Sequence, residues 1–351
     1  MPSNKQNRIN GALYGQMLGD AMGMPSELWP RTRIKKHFGW IDRFLPGPAD
    51  NIAACYFQAA QYTDDTAMAI ALADALIACE GRIDPKVIGK HILHWALEFG
   101  AFEKNILGPS SKAALTAIQR GTDIRELENN GVTNGAAMRV SPLGCLLPPH
   151  SLHDFIADVE LASSVTHKSD IAVAGAVVIA WAISRAIEGA STWSGIGEEL
   201  PAVAQAAQNR RITTYSASLA CRIELALETV KRVNGTEHAM ARIYDLIGTG
   251  AEMIESVPAA IAMVELAQTD PNRCAILCAN LGGDTDTIGA MATAICGAIN
   301  GATSIAPHFK QQLDSANGID IAGYGQQLLR LRALRALREP YPPPSAHYPG
   351  G

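Results

Sequence analysis

The sequence predicts an all-α protein, and three observations carry that expectation. About 55 of the 351 residues are alanine, the strongest intrinsic helix former. Apolar residues recur at helical spacing from one end of the chain to the other, and no stretch alternates apolar with polar residues as a half-buried strand does. The two Asn-Gly pairs of the segment NNGVTNG (129–135) are not flanked by strand patterns, so no hairpin is expected there.

Taken in order, residues 10–22 predict a helix of small residues, and 66–79 a helix behind an acidic cap. Asp84-Pro85 starts the next one, with Asp as N-cap, Pro at the first helical position, and Ile88, Ile92, Trp95 and Phe99 near helical spacing. Helices are expected over 110–118, 152–162, 171–187, 215–233, 239–247, 257–267 and 287–299, and over 326–338 with a basic outer face. The longest apolar run, 171–183, is shorter than the ~20 residues of a membrane span and reads as a buried helix. Alanine-rich helices approach one another closely. With no fixed repeat and no mid-chain linker, 1–339 is expected to form a single-domain, compact multi-helix orthogonal bundle. The Pro-rich tail, 340–351, is expected to be extended or disordered, and the irregular stretch 44–61 is of a length that is often functional.

Composition removes several function classes. Hydrophobic residues make up 48% and charged residues 18%, which excludes a disordered chain. A net charge of −5 offers no basic excess to neutralise phosphates, so nucleic acid is not expected as partner, and with no apolar run long enough to span a bilayer neither is a membrane. Aromatics are only 6%, so stacking platforms are few. The first ten residues carry no apolar signal core, and none of the seven cysteines forms a CxxC pair. Buried free thiols in a reducing cytoplasm are the expectation.

Two acidic segments stand out, Tyr62-Thr63-Asp64-Asp65-Thr66 and Leu281-Gly282-Gly283-Asp284-Thr285-Asp286-Thr287, each directly before an apolar helix. One such cluster reads as capping. Two are harder to explain that way, because a cap needs one acceptor and each segment offers two carboxylates with flanking threonines. Four converging acids repel one another unless a cation lies between them. Hard oxygen ligands suit Mg²⁺, Mn²⁺ or Ca²⁺, and a metal pair is the natural use of four acids. Gly282-Gly283 lets the backbone turn so that Asp284 and Asp286 point the same way. In GQMLGDAMGMPSE, Asp20 is either a helix-end acceptor or part of the site, and Glu27, on a loop, is a candidate acid/base or metal ligand. The segment 133–139 offers free amides for an anion or ribose, with Arg139 either a phosphate ligand or a buried ion-pair partner. His167 stands at the start of the long apolar helix.

In this order GALYGQMLGDAMGMPSE, YTDDT, TNGAAMR, THKSDIAVAGA and NLGGDTDTIGA resemble the ADP-ribosylglycohydrolase family, over residues 11–301. The resemblance implies that family's all-α fold and a dinuclear magnesium site (Mn²⁺ being the other candidate) that hydrolyses a ribosyl glycosidic bond. It places the metal ligands on Thr63, Asp64, Asp65, Asp284, Asp286 and Thr287, the catalytic groups on Glu27, Asp65 and Asp284, and substrate binding on Asn134, Gly135, Ala136, Ala137, Met138 and His167. Some branches lack the glutamate that Glu27 matches, so its role is open between acid/base and ligand. Residues 28–40 have no counterpart in protein-deADP-ribosylating members, and Trp29, His37 and Trp40 are the first candidates for a substrate shelf. The sequence is closer to an enterobacterial-type subgroup. The expected partner is an ADP-ribosylated protein or a small ribosyl compound. The alternatives are a hydrolase of a small nucleoside or ribosyl metabolite, and a non-catalytic ADP-ribose- or ribose-binding protein.

Overall fold

Sixteen α-helices follow one another in the computed structural model, which describes residues 4–104, 106–127, 129–189, 192–208 and 212–337. They are α1 (Asn4–Gly23), α2 (Arg31–Phe38), α3 (Asp64–Ala78), α4 (Pro85–Phe99), α5 (Pro109–Gln119), α6 (Ser141–Leu146), α7 (Leu152–Ser163) and α8 (Asp170–Glu188). The second half holds α9 (Trp193–Gln208), α10 (Leu219–Lys231), α11 (Thr236–Arg242), α12 (Met253–Leu266), α13 (Pro271–Ala279), α14 (Thr285–Asn300), α15 (Pro307–Asn317) and α16 (Ile321–Arg335). Among the described residues there is no β-strand, only three isolated bridges. One hydrophobic cluster takes in residues from Ile9 to Leu331. The Pro-rich tail expected at 340–351 lies outside the described residues.

The first helix meets the second half of the chain at α14. Gly11, Gly15, Gly19 and Gly23 lie one turn apart on α1, and a Cβ at any of them would overlap the α14 backbone. The contact is reciprocal, since Gly289 and Gly297 of α14 face Gly19 and Gly11. Backbone-to-backbone packing of this kind fixes the relative height of the helices, so the residues after Gly23 arrive beside the first turn of α14.

The long apolar helix expected over 171–187 is α8. All of its side chains except Arg185 and Glu188 are buried, and Ser169 caps it by accepting from Ala172 N. It has the length and hydropathy of a membrane span, yet 94% of its most apolar window is buried inside the protein, as a core helix requires. Helix α4 begins as expected, with Asp84 accepting from the Lys86 and Val87 amides ahead of Pro85.

Other boundaries differ. The helix expected from 215 starts four residues later, at α10, because Ser218 caps it by accepting from Cys221 N, while Tyr215 is fully exposed. The helix expected over 239–247 is α11 followed by a π turn, Ile243–Ile247, that ends at Gly248 with φ 87°. Five helices were not anticipated: α2, α6, α9, α13 and α15.

Candidate active site

The site is assembled from four stretches that the glycine contact brings together. From the end of α1 the chain makes a tight turn, Met24–Ser26, held by the Ser26 hydroxyl on the Ala279 carbonyl (2.7 Å) and the Thr285 hydroxyl on the Gly23 carbonyl (2.9 Å). Beyond it, Leu28 N donates to Gly283 O (2.8 Å) and Gly283 N to Trp29 O (2.9 Å), which ties the Glu27 strap to the second acidic loop. Asn51 Nδ2 donates to the Glu27 carbonyl from the other side (2.9 Å). Leu28 is held at φ 56°, a strained value for a leucine, with its side chain 56% exposed. Gly282 and Gly283 have φ 88° and 84°, so the paired glycines do turn the chain into Asp284, as expected.

Asp20 resolves to the helix-end role. It is fully buried at the start of α3, accepting from Thr63 N (2.9 Å), Thr66 N (3.0 Å) and the Thr66 hydroxyl (2.6 Å). That frees Asp64 and Asp65 from capping. Gln16 of α1 donates to the Asp65 carbonyl (3.1 Å) and the Met138 carbonyl (2.9 Å), linking the first acidic cluster to the 133–138 loop. Thr63 Oγ1 lies 3.3 Å from Asp65 Oδ2 and 3.4 Å from Asp286 Oδ2, so the two clusters adjoin.

The carboxylates converge as the sequence suggests. Oxygens of Glu27, Asp284 and Asp286 lie within 4.8 Å of one another. Asp65 and Asp286 are 2% and 1% exposed, and each keeps one buried oxygen, Oδ1, without a hydrogen-bond partner. Burial, followed by mutual repulsion, pushes Glu27, Asp65 and Asp286 well above the usual carboxylate range and Asp64 up to about 7. Burial also raises Asp284, opposed by the Asn134 amide donating to its Oδ2 (2.5 Å). Orphaned acceptors among crowded acids are what a bound divalent cation would satisfy, so the donor set fits a hard metal ion.

Above the acids lies a cavity of about 430 Å³. Glu27, Asp64, Asp65, Asp284 and Thr287 line it, together with the apolar Leu28, Ile52, Tyr56, Ile106 and Leu107 and the polar Ser111, Thr133 and Asn134. Of the anticipated substrate residues, Asn134, Gly135 and Met138 line it, whereas Ala136, Ala137 and His167 are buried behind the lining. Trp29, His37 and Trp40 do not reach this cavity. Trp29 is buried against Phe38 with the Arg33 guanidinium 3.8 Å over its ring. The aromatic side chains in the cavity are Tyr56 and Phe57, from the irregular 44–61 stretch that sequence reading marked without naming a residue. A larger cavity of about 550 Å³, beside Leu161 and Ile212, contains none of the anticipated site residues.

Arg139 takes neither of the two expected roles. It is buried and donates to the Gly135 carbonyl and to Thr166 Oγ1 (both 2.7 Å), and no carboxylate lies within ion-pair distance among the described residues. Burial lowers its pKa to about 10, so it stays cationic at neutral pH.

Comparison with known proteins agrees with this arrangement. A family model described as ADP-ribosylglycohydrolase matches residues 1–340. The Escherichia coli uncharacterized protein YegU is 66% identical over 331 residues, covering 94% of this chain and 99% of that protein. The Homo sapiens ADP-ribosylhydrolase ARH3 is 27% identical over 346 residues, covering 90% and 91%. A solved structure described as an ADP-ribosylglycohydrolase-related protein complex superposes with a TM-score of 0.67 at 24% identity, over 94% of this chain and all of that one, a likeness of fold. With the fold, the converging acids and the family model in agreement over nearly its whole length, the chain belongs to the ADP-ribosylglycohydrolase family.

Proposed function

We propose that this protein is a metal-dependent glycosidase that hydrolyses the bond between a ribosyl group and its aglycone, releasing ADP-ribose from a modified protein side chain or ADP-ribosyl compound. The observation that carries the proposal is the pair of orphaned buried oxygens, Asp65 Oδ1 and Asp286 Oδ1, beneath a cavity lined in part by polar groups. Asp64, Asp65, Asp284 and Asp286, with oxygens from Thr63 and Thr287, would hold two Mg²⁺ ions. When bound, the ions supply positive charge for the ribose hydroxyls and lower the pKa of water. The sites lie at the N-termini of α3 and α14, whose dipoles oppose a cation, which is why several carboxylates are needed.

The chain's own groups serve an oxocarbenium-like transition state. Asp65 and Asp284 place negative charge below the anomeric carbon. Glu27, whose carboxyl is pushed up by burial, is placed to give a proton to the departing aglycone and to take one back from the water that adds at the anomeric carbon. Leu28, Ile52 and Tyr56 line the cavity while staying exposed, and offer the aglycone an apolar edge. In this proposal residues 1–339 act as one domain. All seven cysteines are free, which supports a reducing cytoplasm as the location.

A second substrate class, a small ribosyl metabolite, is favoured by one feature. Among the described lining residues Lys104 is the one cationic side chain, and it also donates to the Phe99 carbonyl (2.7 Å), so a pyrophosphate would meet a single cation. Release of ADP-ribose from arginine- and serine-linked peptides, assayed beside a nucleoside panel in Mg²⁺ and in chelator, tests the proposal. Magnesium-dependent cleavage of either panel is expected. Silence on both, with metal-dependent melting retained, would leave a ribose-binding protein instead.

A further inference from the structure

Behind the polar lining of the cavity runs a buried hydrogen-bonded chain whose proton directions can be assigned by satisfiability. Arg139 Nη2 is 2.7 Å from Thr166 Oγ1, and a guanidinium only donates, so Thr166 accepts there. Thr166 is completely buried, and the other partner of its hydroxyl is His167 Nδ1, at 2.8 Å. If Nδ1 carried a proton, the Thr166 hydroxyl hydrogen would have no acceptor among the described residues. Nδ1 is therefore bare and accepts from Thr166. The ring is neutral, because burial and then Arg139 lower its pKa to about 3, so its one proton sits on Nε2. Nε2 lies 3.1 Å from Thr133 Oγ1 and donates to it. Thr133 does not use its side chain as a helix cap, and it lines the cavity. Its own hydroxyl proton is left over.

We propose that Arg139, Thr166 and His167 form a buried relay that fixes Thr133 as a hydroxyl donor to the cavity, aimed at an acceptor oxygen of the ribosyl substrate. Arg139, Thr166 and His167 are positioning residues; Thr133 is the group that touches substrate. The relay also accounts for Gly135, where a Cβ would come 2.8 Å from His167 Cε1 and displace the ring. The identity of the acceptor rests on the function proposed above, whereas the proton directions do not.

Two measurements test it. Long-range ¹H–¹⁵N NMR, with the His167 signals assigned by their loss in His167→Gln, is expected to show the Nε2–H tautomer; an Nδ1–H tautomer overturns the relay whatever the substrate is. Calorimetry with ADP-ribose in Mg²⁺ buffer is expected to give about tenfold weaker binding for Thr133→Val and within about twofold of wild type for Thr133→Ser. Wild-type affinity in Thr133→Val, or equal loss in both variants with an otherwise unchanged amide spectrum, refutes the donor role. A wild-type protein that binds no ADP-ribose refutes ADP-ribose as the source of the acceptor and the ADP-ribose-releasing form of the proposed function, and leaves the tautomer result to decide the relay alone.

Discussion

Replacing Asp64 by Asn should stabilise the protein when it is stripped of metal at pH 8, a direction opposite to that of most site mutations. Burial and repulsion raise the Asp64 carboxyl from 3.8 to about 7. A carboxyl raised on folding contributes stability that is present below about pH 4 and lost as pH climbs through about 7. The metal-free protein therefore gives up stability across pH 4–7, and Asn, which carries no charge, does not share that loss. Divalent metal reverses the ranking. At pH 8 and a metal concentration of about 100 Kd, binding adds about 2.7 kcal/mol. For a chain of this length the entropy of unfolding is about 0.7 kcal/mol/K, so melting rises by about 4 °C. At pH 5, two units below the Asp64 titration point, about 1% of that carboxyl is ionised and metal must displace a proton, so the increment should largely vanish. The assay is thermal melting of wild type and Asp64→Asn at pH 5 and pH 8, in chelator and in Mg²⁺. The reasoning fails if Asp64→Asn melts below wild type in chelator at pH 8, or if Mg²⁺ stabilises wild type equally at both pH values.

Three further outcomes follow from the packing around the site. Gly19→Ala forces a methyl into the Gly289 backbone of α14 and should cost about 1–3 kcal/mol or more, read from the denaturant midpoint, with a loss of activity because the Glu27 strap moves with α1. Asp20→Asn sets an amide donor against the donors of Thr63 and Thr66 and should cost about 1–3 kcal/mol without changing residue volume; an unchanged midpoint would contradict the capping role. Asn51→Ala removes the hydrogen bond on the Glu27 carbonyl and should lower kcat by about tenfold while metal affinity, read by Mn²⁺ titration, stays within about twofold.

What was legible in the sequence is what local chemistry decides. Asp84-Pro85 announces α4, and the two acidic runs announce helix starts whose carboxylates exceed capping needs. One missed helix carried the same signal: Asp270-Pro271 begins α13 with Asp270 accepting from the Asn272 and Arg273 amides. The others had weak signals. Helix α2 buries only Ile34, α15 only Phe309 and Leu313, and α9 has Pro201 inside it. Functions decided by distant packing were not legible. Asn134, anticipated as a substrate ligand, donates to Asp284, 150 residues away along the chain, while also lining the cavity. Trp29 is a shelf candidate in the sequence, whereas Tyr56 lies unnamed in the irregular 44–61 stretch. Packing of Trp29 against Phe38, with His37 edge-on, puts one in the core and leaves the other at the cavity.

The central claim is that the carboxylates hold divalent metal against a ribosyl group in the cavity above them. Diffraction at the manganese edge from crystals soaked with Mn²⁺ and ADP-ribose tests it most directly. Two anomalous peaks bridging the Asp64–Asp65 and Asp284–Asp286 clusters, with the ribose hydroxyls upon them, are predicted. No peak at these carboxylates, or ADP-ribose lodged in another cavity, would contradict it.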